Sequence, residues 1–158
     1  MSLWAKIESE FKQALKQREL IKLSVLRLLK SAVKNAEIEK RGKGEGSELT
    51  EDELIKVIKK EIKKREESII LFRQGQREDL ASKEEAELEI LKNYLPADLT
   101  DEEINKIINE IITENQLAEP MNFGQLMKLV MAKVGSQADG KKVSLLVKAK
   151  LSIDSGGD

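Results

Sequence analysis

An all-α fold in two helical subdomains is what this sequence predicts, and three observations carry that prediction. Apolar residues recur at three- and four-residue spacing along nearly the whole chain, the mark of helices with one buried face. Lys, Glu, Leu and Ile dominate, and straight-chain residues lose little rotamer freedom in a helix. Only two prolines interrupt 158 residues, and no segment alternates apolar with polar residues between turn signals. With 40% hydrophobic and 3% aromatic residues, the core has to be aliphatic.

The first helix is predicted from about Leu3 to Leu15 and lines up Trp4, Ile7, Phe11 and Leu15. The second, roughly Glu19 to Lys40, is apolar over a wide arc: Leu23, Val25, Leu26, Leu28, Leu29, Ala32, Val33 and Ala36. So wide an arc predicts burial on more than one side and a central place in the bundle. Arg41 to Ser47 holds three glycines, which cost too much backbone entropy for a helix interior, and reads as a loop. Thr50 and Glu53 then form a capping box, with Leu49 and Leu54 at hydrophobic-staple positions. Leu54, Ile58, Ile62, Ile69 and Phe72 supply the core face of this third helix, and Gly75 its stop. A fourth, from about Arg77 to Asn93, has Ala81, Leu88, Leu91 and Leu95 in register.

Pro96 marks the boundary between subdomains, because it disfavours helix at Leu95 and cannot continue one itself. Residues 1–95 make an N-terminal bundle of about four helices, residues 96–153 a C-terminal three-helix bundle, and residues 154–158 a frayed tail. The start signal recurs after Pro96, as Thr100 with Glu103 and Leu99 with Ile104. Its match to Leu49–Leu54 fades after about two turns, so shared capping chemistry explains it better than internal duplication. Ile104, Ile107, Ile108, Ile111 and Ile112 form the next core face. Pro120 and Asn122 separate it from Phe123, Leu126, Met127, Val130 and Val134. Gly135 ends that helix, and Asp139 caps a last one carrying Val143, Leu146, Val147 and Leu151.

Composition narrows the chemistry. Without cysteine there is no disulfide, thiolate nucleophile or zinc–sulfur site, and without histidine the commonest general base and metal ligand are missing. No catalytic residue, cofactor or metal site is assigned. Gly42–Ser47 neither follows a strand nor ends in Gly-Lys-Ser/Thr, so it is an interhelical loop and not a phosphate cradle. Glu84, Glu85, Glu87 and Glu89 are scattered around a helix axis and predict a solvated face, not a cation site. Met121, Met127 and Met131 read as gap-filling core, and Trp4 as the anchor of the first helix. With no secretory apolar region and no long apolar run, the expectation is a cytoplasmic protein with no membrane partner.

Charge is balanced in sum, 28 basic against 29 acidic residues, but not in distribution. Lys12, Lys16, Arg18, Lys22, Arg27, Lys30 and Lys34 face one acid, Glu19; Lys56, Lys59, Lys60, Lys63, Lys64 and Arg65 enclose only Glu61. Asp98 to Glu119 is acidic apart from Lys106, whereas Met121 to Leu151 holds Lys128, Lys133, Lys141, Lys142, Lys148 and Lys150 against Asp139 alone. Lysines beside glycine-containing turns at helix N-termini can hold phosphates, which makes Lys128, Lys133, Lys141, Lys142 and Lys148 candidate nucleic-acid contacts. With few aromatic residues, RNA would be met by backbone and shape, not by base stacking.

Three motifs carry a family resemblance. They are Leu23-Ser24-Val25-Leu26-Arg27-Leu28-Leu29-Lys30-Ser31-Ala32 with Asn35, then Glu84-Glu85-Ala86-Glu87-Leu88 through Asn93-Tyr94-Leu95-Pro96, then Gly124 and Met127 through Ala138-Asp139-Gly140-Lys141-Lys142-Val143. Over roughly Leu3 to Leu151 the chain resembles YqeY-like proteins of the GatB/YqeY group. The resemblance implies four helices followed by three. It also implies a C-terminal part similar to the tail of the B subunit of glutamine-dependent tRNA amidotransferase, a tail that contacts tRNA away from the chemistry. On that basis the turn Ser136–Gly140 is where phosphate would be met, and Gln137 joins the candidates. The family more often has Gly followed by Lys or Arg where this chain has Ser136 and Gln137, so a charge is missing from that turn.

The leading expectation is a non-catalytic tRNA-binding adaptor, with tRNA and an aminoacyl-tRNA synthetase or amidotransferase complex as partners. The alternative is a helical protein–protein module without RNA binding, and a third reading is a carbon–nitrogen ligase using glutamine as amide donor.

Overall fold

Branched aliphatic side chains at helical spacing leave each segment with one face to bury, and the chain resolves this as helix against helix. A computed structural model describes residues 1–115 and 122–155. Among these are seven helices and no strand: α1 (Leu3–Gln17), α2 (Leu20–Gly42), α3 (Glu51–Gln74), α4 (Glu78–Lys92), α5 (Asp101–Glu114), α6 (Phe123–Val134) and α7 (Gly140–Ser155). The chain divides into two compact units, Met1–Leu95 with α1 to α4 and Pro96–Asp158 with α5 to α7. The predicted break at Pro120, the core role of Met121 and residues 156–158 of the tail lie outside the described residues. Residues 154 and 155, expected to fray, continue α7.

In the first unit Ile7, Val25, Leu26, Leu29, Ile58 and Leu91 are among the side chains sealed in a common core. The arc on α2 is put to use as predicted, since this helix touches α1, α3 and α4, although α3 also touches the other three. Two expected core residues of this unit are exposed. Leu15 is 45% exposed and Leu28 is 51% exposed. In α1, Phe11 packs against the core after Ile7, and the next fully buried position is Ala14, seven residues or nearly two full turns on from Ile7. In α2, Leu28 falls on the outer side once Leu26 and Leu29 face in.

The predicted caps form as drawn. Thr50 N–H donates to Glu53 Oε2 at 2.7 Å while Glu53 N–H donates to Thr50 Oγ1 at 3.2 Å. Leu54 is buried, with Leu49 packed against the same core. Gly75 does cap α3, but the left-handed residue of that turn is Gln76, at φ 56°. Arg77 N–H closes onto Phe72 O at 2.8 Å and Gln76 N–H onto Arg73 O at 3.0 Å, the paired bonds of a Schellman stop.

Two acidic residues have roles the sequence pattern conceals. Glu87 does not sit on a solvated face, and Arg65 does not belong to an outer basic cluster. Both are buried between α3 and α4, 5% and 7% exposed, and pair at 3.4 Å. The Arg65 Nε has no hydrogen-bond partner among the described residues. Glu10 on α1 accepts a short hydrogen bond from the Tyr94 hydroxyl across 84 residues of chain and pairs with Lys22 at 3.1 Å. Burial opposes ionisation of Glu10, but the bonds from Tyr94 and Lys22 prevail and hold its carboxyl below the usual range. Burial, then the Glu10 contact, pushes the Tyr94 phenol up.

In the second unit Ile104, Ile108, Ile111, Leu126, Val130, Val134, Val143 and Val147 form a separate core. Thr100 and Glu103 repeat the capping box at 2.8 and 3.2 Å. Asn122 and Gln125 form a third one at the start of α6, unforeseen because Asn122 reads as a breaker. Asp139 caps α7 as expected, its Oδ1 accepting from Lys141 N–H at 3.2 Å.

Removing one member of a buried ion pair strands the other charge, so Glu87→Ala should cost about 3–5 kcal/mol in urea denaturation, whereas Arg65→Met with Glu87→Leu should recover most of that loss. A double variant as unstable as the single one would refute the interpretation. The second prediction concerns Glu53, whose carboxyl is held from 4.5 down to about 2 by the Lys40 side chain and then by the Thr50 backbone N–H. Because this pKa is depressed on folding, its stabilisation is complete above pH 4.5 and is lost as pH falls toward 2. Glu53→Gln should therefore melt lower than the parent at pH 7, with the gap closing in that window. A gap that stays constant down to pH 3 would contradict this assignment.

Candidate nucleic-acid interface

The five candidate lysines fall into two groups. Lys133 and Lys142 lie on flanks of α6 and α7 that turn toward α5, and α5 supplies their acids. Lys133 pairs with Glu114 at 3.5 Å, and Lys142 pairs with Asp101 at 2.8 Å while also donating to the Leu99 carbonyl at 3.4 Å. The hydrogen bond to Asp101, ahead of attraction from that residue and from Asp98 and Glu102, pushes the Lys142 ammonium above its ordinary pKa. These two lysines tie the second unit together. Their positive charge is largely answered before any ligand arrives.

Lys128, Lys141 and Lys148 face outward and have no acidic partner among the described residues. Lys141 and Lys148 are seven residues apart, hence on one face of α7 and about 10 Å from each other along it. Leu145, 69% exposed, stands between them. Lys128 occupies the outer side of α6, about 140° around that helix from Lys133. The Lys148 ammonium lies 5.6 Å from the Phe123 ring centroid, within cation–π range, and so links α7 to the start of α6. Phe123, expected in the core, is 37% exposed there as the first residue of α6.

The turn before α7 is spoken for internally. The Gln137 carbonyl accepts from Leu99 N–H at 2.8 Å, which fastens the approach to α5 against this turn. Ser136 and Ala138 are buried while the Gln137 side chain is exposed. Gly135 takes φ 58° with ψ −130°, a backbone region open essentially to glycine alone. The Asp139 carboxylate already occupies one N–H at the α7 N-terminus and places a negative charge there. Any phosphate met in this region would therefore face lysine side chains and not bare helix N–H groups.

From residue 122 to residue 153 the two basic helices and the turn between them contain one acid, Asp139 at the α7 cap, and Asp154 follows in the last turn of α7. On α5, by contrast, Glu102, Glu110 and Glu114 are exposed on the outside. The second unit thus carries opposite signs on different helices. Among the described residues no three acidic side chains group closely enough to hold a metal ion; of the glutamates on α4, Glu87 pairs with Arg65, and Glu85 meets Arg73 at 2.6 Å. No described helix is long and apolar enough to cross a membrane.

Comparison with known proteins gives relatives and a family. A protein described as "Altered inheritance of mitochondria protein 41, mitochondrial" from Lachancea thermotolerans is 33% identical over 73% of this chain and 61% of its own length. The protein of the same description from Kluyveromyces lactis is 33% identical over 73% of this chain and 62% of its own. That from Pyrenophora tritici-repentis is 27% identical over 92% and 81%. The chain thus spans about three fifths of the length of the two yeast relatives. Their descriptions place those proteins in mitochondria and name no ligand. The model of the YqeY-like proteins matches residues 4–151 of the 158, and the chain belongs to that family.

Proposed function

We propose that this YqeY-like chain is a non-catalytic helical adaptor whose C-terminal unit binds tRNA through the phosphate backbone, in association with an aminoacyl-tRNA synthetase or amidotransferase complex. The outward, acid-free lysines of α6 and α7 support this reading. Lys141 and Lys148 share one exposed stripe, Lys128 adds a third charge, and the acids of these two helices are confined to the ends of α7, Asp139 at its cap and Asp154 in its last turn. Such charges gain by displacing counterions from a polyanion, whereas Lys133 and Lys142, already paired, gain little. The similarity to the amidotransferase tail points to the same class of partner. Exposed Phe123 beside Lys148 offers an unpaired base one ring to stack on, but a lone ring reads no sequence.

Binding of this kind is weak and steep in salt. Three lysine–phosphate contacts should give a slope of log K against log salt of about −2 to −3, from roughly −0.7 to −0.9 per contact. Fluorescence anisotropy of labelled bulk tRNA across a salt series measures it. Lys128→Ala with Lys141→Ala and Lys148→Ala should flatten the slope toward zero. Lys133→Ala with Lys142→Ala should change it far less. Binding that ignores salt, or that survives the triple substitution, eliminates the proposal.

A further inference from the structure

The outer face of α2 is left uncovered by α1, α3 and α4. Leu20, Ile21, Leu28 and Ile38 are 75%, 52%, 51% and 56% exposed. Helical periodicity sets Leu20 and Ile38 on one line about 27 Å long, with Leu28 about 80° and Ile21 about 100° round the same face. Ser24, Ser31 and Asn35 lie between them on the same face, while Arg27 and Lys34 follow one border. From Leu20 to Ala36 the helix contains no acid at all. Alongside Ser31 and Lys34 the stripe meets a groove of about 300 Å³, walled by Trp4 and Val33 and edged by Lys30 and Glu37.

We infer that this face of α2 docks an amphipathic helix of another protein, one whose apolar stripe is bordered by Asp or Glu. Four exposed aliphatic side chains within about 100° of arc are anchors for an apolar helix face. Arg27 and Lys34 select carboxylates beside it, and nothing acidic on this stretch of α2 repels them. The small side chains of Ser24 and Ser31 let a second helix approach closely, with hydroxyls able to hydrogen-bond across the contact. Other occupants fit less well. A lipid surface would take Ser24 and the Asn35 amide into hydrocarbon without partners. RNA would leave the four aliphatic side chains without apolar contact. A second copy brings no suitable helix in acid-rich α5, because its isoleucine face (Ile104, Ile108, Ile111) is already buried. The inference does not depend on RNA binding, which was assigned to the other unit.

Trp4 is the only tryptophan in the chain and lines the adjoining groove, so its fluorescence reports occupancy directly. The probe is a synthetic amphipathic peptide with leucines at i, i+4, i+7 and i+11 and glutamates along the borders. Its counterpart has lysines in place of the glutamates, and both are titrated against the full chain. The acidic peptide should bind and perturb Trp4, and the basic one should not. Leu28→Asp should weaken binding roughly tenfold to a hundredfold, as expected for losing one buried leucine. Arg27→Glu with Lys34→Glu should invert the preference between peptides. All these positions are exposed, so circular dichroism should remain unchanged, and so should binding of tRNA. The inference fails if the acidic peptide does not bind, or if the basic peptide binds equally well. It fails equally if sedimentation shows self-association that Leu28→Asp abolishes, or if anionic phosphatidylserine vesicles bind where the peptide does not.

Discussion

Each helix of this chain has a single aliphatic stripe, and removing those stripes from water is the favourable term on which everything else rests. A fully buried Leu, Ile or Val contributes roughly 1.5–3 kcal/mol, so the rotational phase of a helix follows the bulk of its apolar residues even where that exposes a minority. In α2 the buried set of Val25, Leu26, Leu29 and Val33 outweighs Leu20, Leu28 and Ile38, and the helix turns accordingly. The exposed apolar stripe and the inward core face are consequences of one orientation. The same holds in α7, where burying Val143 and Val147 turns Lys141, Leu145 and Lys148 outward together.

Hydrophobic burial has little directional preference, and an aliphatic interface could slide. The pair Arg65–Glu87 resists sliding between α3 and α4. A shift of α4 by one turn along α3 would carry one charge past the other by about 5.4 Å and leave both buried without a counterion. Among the described residues the Arg65 Nε has no hydrogen-bond partner, which fits a part in setting register better than one in adding stability. Glu10 acts comparably where α1 meets the end of α4, held at once by Tyr94 and Lys22.

How much of this was legible in advance depends on the range of the interaction. Thr50–Glu53 and Thr100–Glu103 could be read directly, because a capping box is a matter of three residues. Asn122–Gln125 obeys the same logic, and was overlooked only because asparagine after proline suggests a break before it suggests a start. All-helical structure followed from periodicity. The exchange of Leu15 for Ala14 did not, since one residue's shift in phase is invisible until the neighbouring helices are in place. Arg65–Glu87 and Glu10–Tyr94 were out of reach for a stronger reason: they join residues on different helices, and nothing local distinguishes Arg65 from the lysines beside it. For the candidate interface, counting lysines singled out α6 and α7 but could not tell answered charges from unanswered ones. That distinction lies in α5, whose Asp101 and Glu114 engage Lys142 and Lys133.

The sorting of charge in the second unit has its own physical logic. An acidic α5 beside two helices rich in lysine is internally attractive where the partners touch, and this fixes the sign of what remains outside. Lysines near α5 are neutralised, and those turned away from it are not. A polyanion approaching the unit would be repelled by Glu102 and Glu110 on one helix and attracted by Lys128, Lys141 and Lys148 on the other two, so the field would orient it before contact. In the first unit the uncovered face of α2 follows different physics, since its apolar contacts survive salt that would screen a lysine–phosphate pair. If both proposed surfaces bind, their different salt responses would let the two affinities be tuned independently, because a substitution on either surface leaves the core of the other unit untouched.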